Sequence, residues 1–143
     1  MAIRAFLDTG VLIAAFRGEL EIREQALRVL SWRAFEFWYS PLLRLELILQ
    51  PTHQRRKLEL AFYEEYFQHA NCYVDLNKIF EAGSREATKH GIPVVDALHL
   101  GCASLAKCRF LLTTEAATKP MFKTTLLEVV SIADWSAVSA LLK

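Results

Sequence analysis

Along this chain the spacing of apolar and polar residues switches repeatedly between the period of a strand and that of a helix. "AIRAFLD" predicts a short apolar strand ending at Asp8, and "TGVLIAAFRG" a short helix stopped near Gly18. "ELEIREQALRVLSWR" sets Ile22, Ala26, Leu27 and Leu30 at helical spacing with charges opposite. "AFEFWYSP" alternates and is aromatic, so Phe35 to Tyr39 predicts a strand. Ser40 and Pro41 mark the turn into "LLRLELILQ", a short helix closed by Pro51. A basic connector leads to the longer amphipathic helix in "THQRRKLELAFYEEYFQHA". "CYVDL" then reads as a brief strand and "NKIFEAGSREATKHG" as a helix ending at Gly91. From Pro93 to Ala106 an almost wholly apolar helix follows. "RFLLTT" and "LLEVVSI" are the last strands, separated by a loop or short helix in "EAATKPMF", and "DWSAVSALL" closes the chain as a helix. Strands alternating with helices imply an α/β fold with a mainly parallel sheet covered on both faces.

The helix beginning at Pro93 poses the chemical question. Apolar residues around its whole circumference predict burial, yet it carries Asp96. A carboxylate in a dry interior needs a hydrogen bond, a cation or a proton. Three other acids sit in similarly apolar company. Asp8 is the only charged residue between Arg4 and Arg17, Glu46 lies in "LELILQP", and Glu115 directly follows "RFLLTT". Each falls at the C-terminal end of a predicted strand or in the first turns of the next helix. In open α/β sheets that edge is where ligands bind. Taken singly, Asp8 reads equally as a helix cap, Asp96 suits a helix N-terminus, and Glu46 and Glu115 read as ordinary helix acids. Taken together they predict an acidic cluster. Oxygen ligands without a Cys or His set suit Mg²⁺ or Mn²⁺ rather than Zn²⁺. Such a site fits metal-dependent hydrolysis of a phosphodiester.

With those four acids in view, the chain resembles a PIN domain, and in size and layout the VapC-type ribonuclease toxins. "FLDTGVLI", "YSPLLRLELIL", "GIPVVDALHLGCA" and "FLLTTEAA" carry the resemblance, the third most specifically. The resemblance implies a three-layer α/β/α sandwich and a Mg²⁺- or Mn²⁺-dependent ribonuclease. It matches Asp8, Glu46, Asp96 and Glu115 to the family's acids and Thr113 to a small hydroxyl residue beside them. His99 reads as a structural residue, one turn after Asp96 and able to hydrogen-bond to it. It further implies an RNA substrate, a homodimer and a small antitoxin partner. Two departures stand out: Gly10 where the family usually has Asn or Ser, and Glu115 where Asp is common. They motivate an alternative, a catalytically weakened PIN-like module that binds RNA or protein. A haloacid-dehalogenase-type phosphatase would need an Asp at position 10, and a receiver domain an acidic pair near the start; neither is present.

Totals change this picture little. At 143 residues, 53% hydrophobic and 23% charged, the chain fits one well-buried domain over residues 1–143. A net charge of +1 gives no overall pull toward nucleic acid or membranes. Locally, Arg55, Arg56 and Lys57 form one basic run, which reads equally as a solvated helix start, and Arg17 and Arg23 are placed to reach the acidic edge and a substrate. Phe35, Phe37, Trp38 and Tyr39 read as core, whereas Phe62, Tyr63, Tyr66 and Phe67 suggest a partner-covered face. Cys72, Cys102 and Cys108 form an odd set without CxxC spacing, which suits a reducing compartment. No apolar run is long enough to span a bilayer, and no secretory leader is evident, so a cytoplasmic protein is expected.

Overall fold

The computed structural model describes residues 2–142. Five parallel strands form one sheet: β1 (Ile3–Leu7), β2 (Phe35–Tyr39), β3 (Asn71–Cys72), β4 (Phe110–Thr113) and β5 (Glu128–Ser131). Their spatial order is β3-β2-β1-β4-β5. The chain builds outward from β1 through β2 to β3, then returns to place β4 on β1's other side. That reversal opens a crevice at the carboxyl ends of β1 and β4. Both strands are near-continuous apolar runs with Ala5 to Leu7 and Phe110 to Thr113 buried, as expected where helices cover both faces.

Four helices pack together: α1 (Thr9–Arg17), α2 (Leu20–Leu30), α3 (Pro41–His53) and α4 (Lys57–His69). The second helical layer is α5 (Leu76–His90) against α6 (Val94–Leu105), followed by a 3₁₀ turn at Pro120–Lys123. A last helix, α7 (Trp135–Leu141), meets α2 where Arg28 lies over the Trp135 ring. The expected three-layer α/β/α sandwich is the fold found.

Small residues set the position of α6. A Cβ on Gly101 would lie 2.9 Å from the Gly83 nitrogen, and a Cβ on Gly83 would lie 3.0 Å from the Leu98 Cα. Backbone therefore meets backbone between α5 and α6, and α6 is held in one register by contacts no larger residue would permit. At its C-terminus Lys107 adopts φ 61°, while Cys108 N–H donates to the Ala103 carbonyl and Lys107 N–H to that of Ser104. This is a Schellman closure with lysine where glycine is usual.

Several predicted boundaries move. Helix α3 runs through Pro51 to His53, because the proline falls in the last turn. Arg55 at φ 55° then closes it, with Arg56 N–H donating to the Pro51 carbonyl. The "CYVDL" strand shrinks to Asn71–Cys72, since Asp75 turns the chain by capping α5 through Lys78 N–H. Pro93 occupies the N-cap of α6 rather than its first turn, and Val94 and Val95 are exposed, so that turn is not buried as its composition suggested. Most of the aromatic set on α4 faces the core rather than a partner, and only Phe62 of the four is partly exposed. Tyr63, Tyr66 and Phe67 are buried, with Phe67 packed against Tyr39 and Tyr66 against Phe37, each pair of rings tilted by 45°.

Candidate active site

Asp8 follows β1 directly and caps α1. Its Oδ1 accepts from Thr9 N–H at 2.8 Å and its Oδ2 from the Thr113 hydroxyl at 3.0 Å. The Asp8 N–H also donates to the Leu112 carbonyl, so the residue is fastened to β4 through backbone and side chain alike. A capping Asp is a common device. Here it is buried at 7% exposure, with both oxygens oriented. Thr113, fully buried at the end of β4, orients Asp8 and accepts the Glu115 N–H at 3.1 Å. One hydroxyl thereby ties the first acid to the segment bearing the fourth.

Glu46 reaches the same place from α3. Single ligand atoms of Asp8, Glu46 and His99 all lie within 4.8 Å of one another. His99 Nε2 stands 3.0 Å from Glu46 Oε1, bridging α6 to α3. That hydrogen bond holds the Glu46 carboxyl below the usual carboxylate range, against the upward push of partial burial, and the Thr9 hydroxyl assists. The sequence placed His99 beside Asp96; the structure pairs it with Glu46 instead, because α6 turns the ring toward α3.

Asp96 answers the question raised by its helix. It accepts no hydrogen bond from any described residue, and burial pushes its carboxyl above the usual range. Asp8 pushes it further, with Glu115 and Glu46 adding to the effect and His99 opposing it. The four acids named from the sequence are thus close enough to feel one another. Glu115 is exposed at the rim. Glu46 is exposed as well, Asp96 is half-buried and Asp8 is buried. An acidic cluster drawn from four segments, with no Lys or Arg paired to it among the described residues, fits a hard divalent cation. The residues present are suited to hold one.

Gly10 sits on the first turn of α1 with no room for a side chain. A Cβ there would collide with the Thr114 hydroxyl oxygen. The site therefore has no side-chain oxygen from position 10, and a hydroxyl from the β4 loop stands over that place.

Arg17 lies at the far end of α1 from Asp8. Its Nε is 3.5 Å from Glu59 Oε2, and Arg56 Nη1 is 2.9 Å from Glu59 Oε1. Tyr63 donates its hydroxyl to Glu59 Oε2 at 2.6 Å. Glu59, 2% exposed, is thus a buried hub for two arginines and a tyrosine. Nothing in its sequence context marked it, since Glu59 stands among the charges of an ordinary amphipathic helix. Arg55 serves the helix closure, and Arg23 is exposed.

Comparison with known proteins places this architecture. A family model described as "PIN domain" matches residues 5–118. Among solved structures, the chain is similar to VapBC2 from Rickettsia felis bound to a DNA fragment from its promoter. The TM-score is 0.70 at 13% identity, over 90% of this chain and 98% of that one. It is also similar to a toxin–antitoxin complex from Klebsiella pneumoniae, with TM-score 0.60 at 21% identity, over 87% and 98% of the two chains. No curated protein matches the chain. No helix among the described residues is long and apolar enough to cross a membrane.

Proposed function

The chain belongs to the PIN domain family, and from that premise we propose that it is a metal-dependent endoribonuclease, the toxin of a toxin–antitoxin pair. The observation that carries the reading is Asp96: a half-buried carboxylate with no hydrogen bond among the described residues, raised first by burial and then by Asp8, Glu115 and Glu46, at the sheet's switch point. Keeping four acids together is costly unless a cation joins them. Mg²⁺ or Mn²⁺ would be held by Asp8, Glu46 and Asp96, with Glu115 assisting from the rim. Such an ion, when bound, supplies counter-charge to the phosphate and makes water more acidic.

The chain's own residues supply position. Thr9 and Thr113 fix the two oxygens of Asp8, and the backbone contact between α5 and α6 fixes Asp96. Hydrolysis adds a water oxygen to phosphorus and releases the opposite ribose oxygen with a proton, so both must stand in line at this edge. Arg17 would contribute positive charge to an RNA strand running along α1, and Thr113 acts on the substrate only through Asp8. The structural neighbours, a toxin–antitoxin complex among them, support a small antitoxin as partner. A homodimer and a cytoplasmic location complete the proposal.

Calorimetric titration of Mn²⁺ into metal-free protein is the test that needs no knowledge of the RNA. Saturable binding by wild type, lost in Asp96→Asn, is expected, together with loss of RNA cleavage in a folded variant. A folded Asp96→Asn that still cleaves would sink the assignment. The bare backbone at Gly10 and the exposed Glu115 favour a second reading, a weakened module that binds RNA or protein. RNA binding by wild type without metal uptake would select it.

A further inference from the structure

His99 shares a 4.8 Å sphere with two of the acids, and an imidazole there has the composition of a metal ligand. Its surroundings argue otherwise. The ring is 1% exposed and lies against Phe6, with centroids 5.5 Å apart. Nδ1 is buried and has no partner among the described residues, while Nε2 faces Glu46 Oε1 at 3.0 Å. Two lone pairs do not meet at that distance, so the proton sits on Nε2 and is donated to the carboxylate. Ligation through Nε2 would move this proton to Nδ1. It would leave a buried donor without an acceptor and take from Glu46 its strongest hydrogen bond. Ligation through Nδ1 would require the ring to turn out of its seat on Phe6.

We propose that His99 is a positioning residue for Glu46 and not a metal ligand: it holds the α3 carboxylate toward Asp8 from the neighbouring layer. The inference rests on the metal site proposed above and gives it a definite donor set, oxygen only. That set selects Mg²⁺ and Mn²⁺ over ions that prefer imidazole nitrogen. The group that bonds a ligating side chain fixes its direction, and losing such a partner typically weakens metal affinity about 10–100-fold.

The test is long-range ¹H–¹⁵N NMR of the ring in the full chain, without metal and with saturating Mg²⁺, beside Mn²⁺ calorimetry on two variants. The expected result is the Nε2–H tautomer in both states. His99→Phe, which keeps an aromatic ring against Phe6, should bind Mn²⁺ about 10–100-fold more weakly. His99→Gln, whose amide N–H reaches near the Nε2 position, should stay within about threefold of wild type. Transfer of the proton to Nδ1 on adding Mg²⁺ would overturn the proposal, as would unchanged Mn²⁺ affinity in a folded His99→Phe. If the phenylalanine variant fails to fold, the wild-type tautomer and the glutamine variant still decide. Wild type that binds neither ion overturns the metal site itself, a failure distinct from binding accompanied by a tautomer change.

Discussion

Replacing Asp96 by asparagine should strengthen the fold and abolish its response to metal at the same time. Asp96 has no hydrogen bond to lose among the described residues, and its charge is opposed by burial and by Asp8, Glu115 and Glu46. Two like charges about 4 Å apart repel by about 1 kcal/mol in water and about 4 kcal/mol at an effective dielectric constant of about 20. That is an upper bound for Asp96, which lies outside the 4.8 Å Asp8–Glu46–His99 group. The carboxylate is only half-buried, and solvent screening puts the gain at the low end, about 1 kcal/mol. In a chain of this size that is a rise of about 2–4 °C in Tm. The sign with pH follows from the direction of the shift. Asp96 ionises at higher pH in the folded chain than in the unfolded one, so wild type loses stability as pH rises from about 3.8 through the folded value. Below that window both side chains are neutral and the advantage of asparagine vanishes. Urea denaturation in EDTA at pH 7.5 and pH 3.5 measures both effects. With Mn²⁺ at about a hundred times its Kd, wild type should gain about 2.7 kcal/mol and the variant nothing. A variant about 1 kcal/mol less stable than wild type in EDTA would refute the reasoning, since the carboxylate would then be held by attractive contacts.

Three further outcomes test other parts of the structure. Lys107→Gly should raise Tm by about 2–4 °C, because lysine pays about 1 kcal/mol to adopt the left-handed backbone at the end of α6; an unchanged melting curve would mean the lysine side chain offsets that strain. Glu59→Gln should cost about 2–3 kcal/mol in urea denaturation, because it strands two arginines around a buried site, whereas Arg17→Ala should cost about 1 kcal/mol and leave Arg56 and Tyr63 in place. Equal costs would remove Glu59 from the centre of that group. Burial pushes the Cys102 and Cys108 thiols up to about 12. Burial raises the Cys72 thiol too, but Cys72 is only half-buried while the other two are enclosed, so iodoacetamide at pH 8 should label Cys72 alone in the native protein, as read by peptide mass spectrometry.

The acids were legible because each is an exception. A charge in an apolar segment at a strand end is costly, and that cost is visible without coordinates, as in "FLDTGVLI" and "GIPVVDALHL". The alternation of periods likewise predicts the layered parallel sheet. What escaped were consequences of distance. His99 bonds an acid 53 positions away rather than the one a turn before it, because its ring, seated against Phe6, faces α3 across the site. Glu59 carries no mark of burial in its own helix, where charged neighbours surround it. Pro51 reads as a stop, yet a left-handed Arg55 lets α3 absorb it in the final turn. The aromatic residues of α4 look like a free face until β2 supplies Phe37 and Tyr39 to cover them.

The contact between Gly10 and Thr114 makes those two positions epistatic. Threonine is stiff about its first side-chain bond, so its hydroxyl does not easily yield to a new Cβ. Serine or asparagine at position 10 would be harmful against Thr114 and acceptable once position 114 is glycine or alanine. The order of the two changes therefore matters. A lineage or library that alters position 10 first passes through a strained intermediate, whereas one that trims Thr114 first does not. Screens of single substitutions would record position 10 as intolerant, although the restriction belongs to its neighbour across the site.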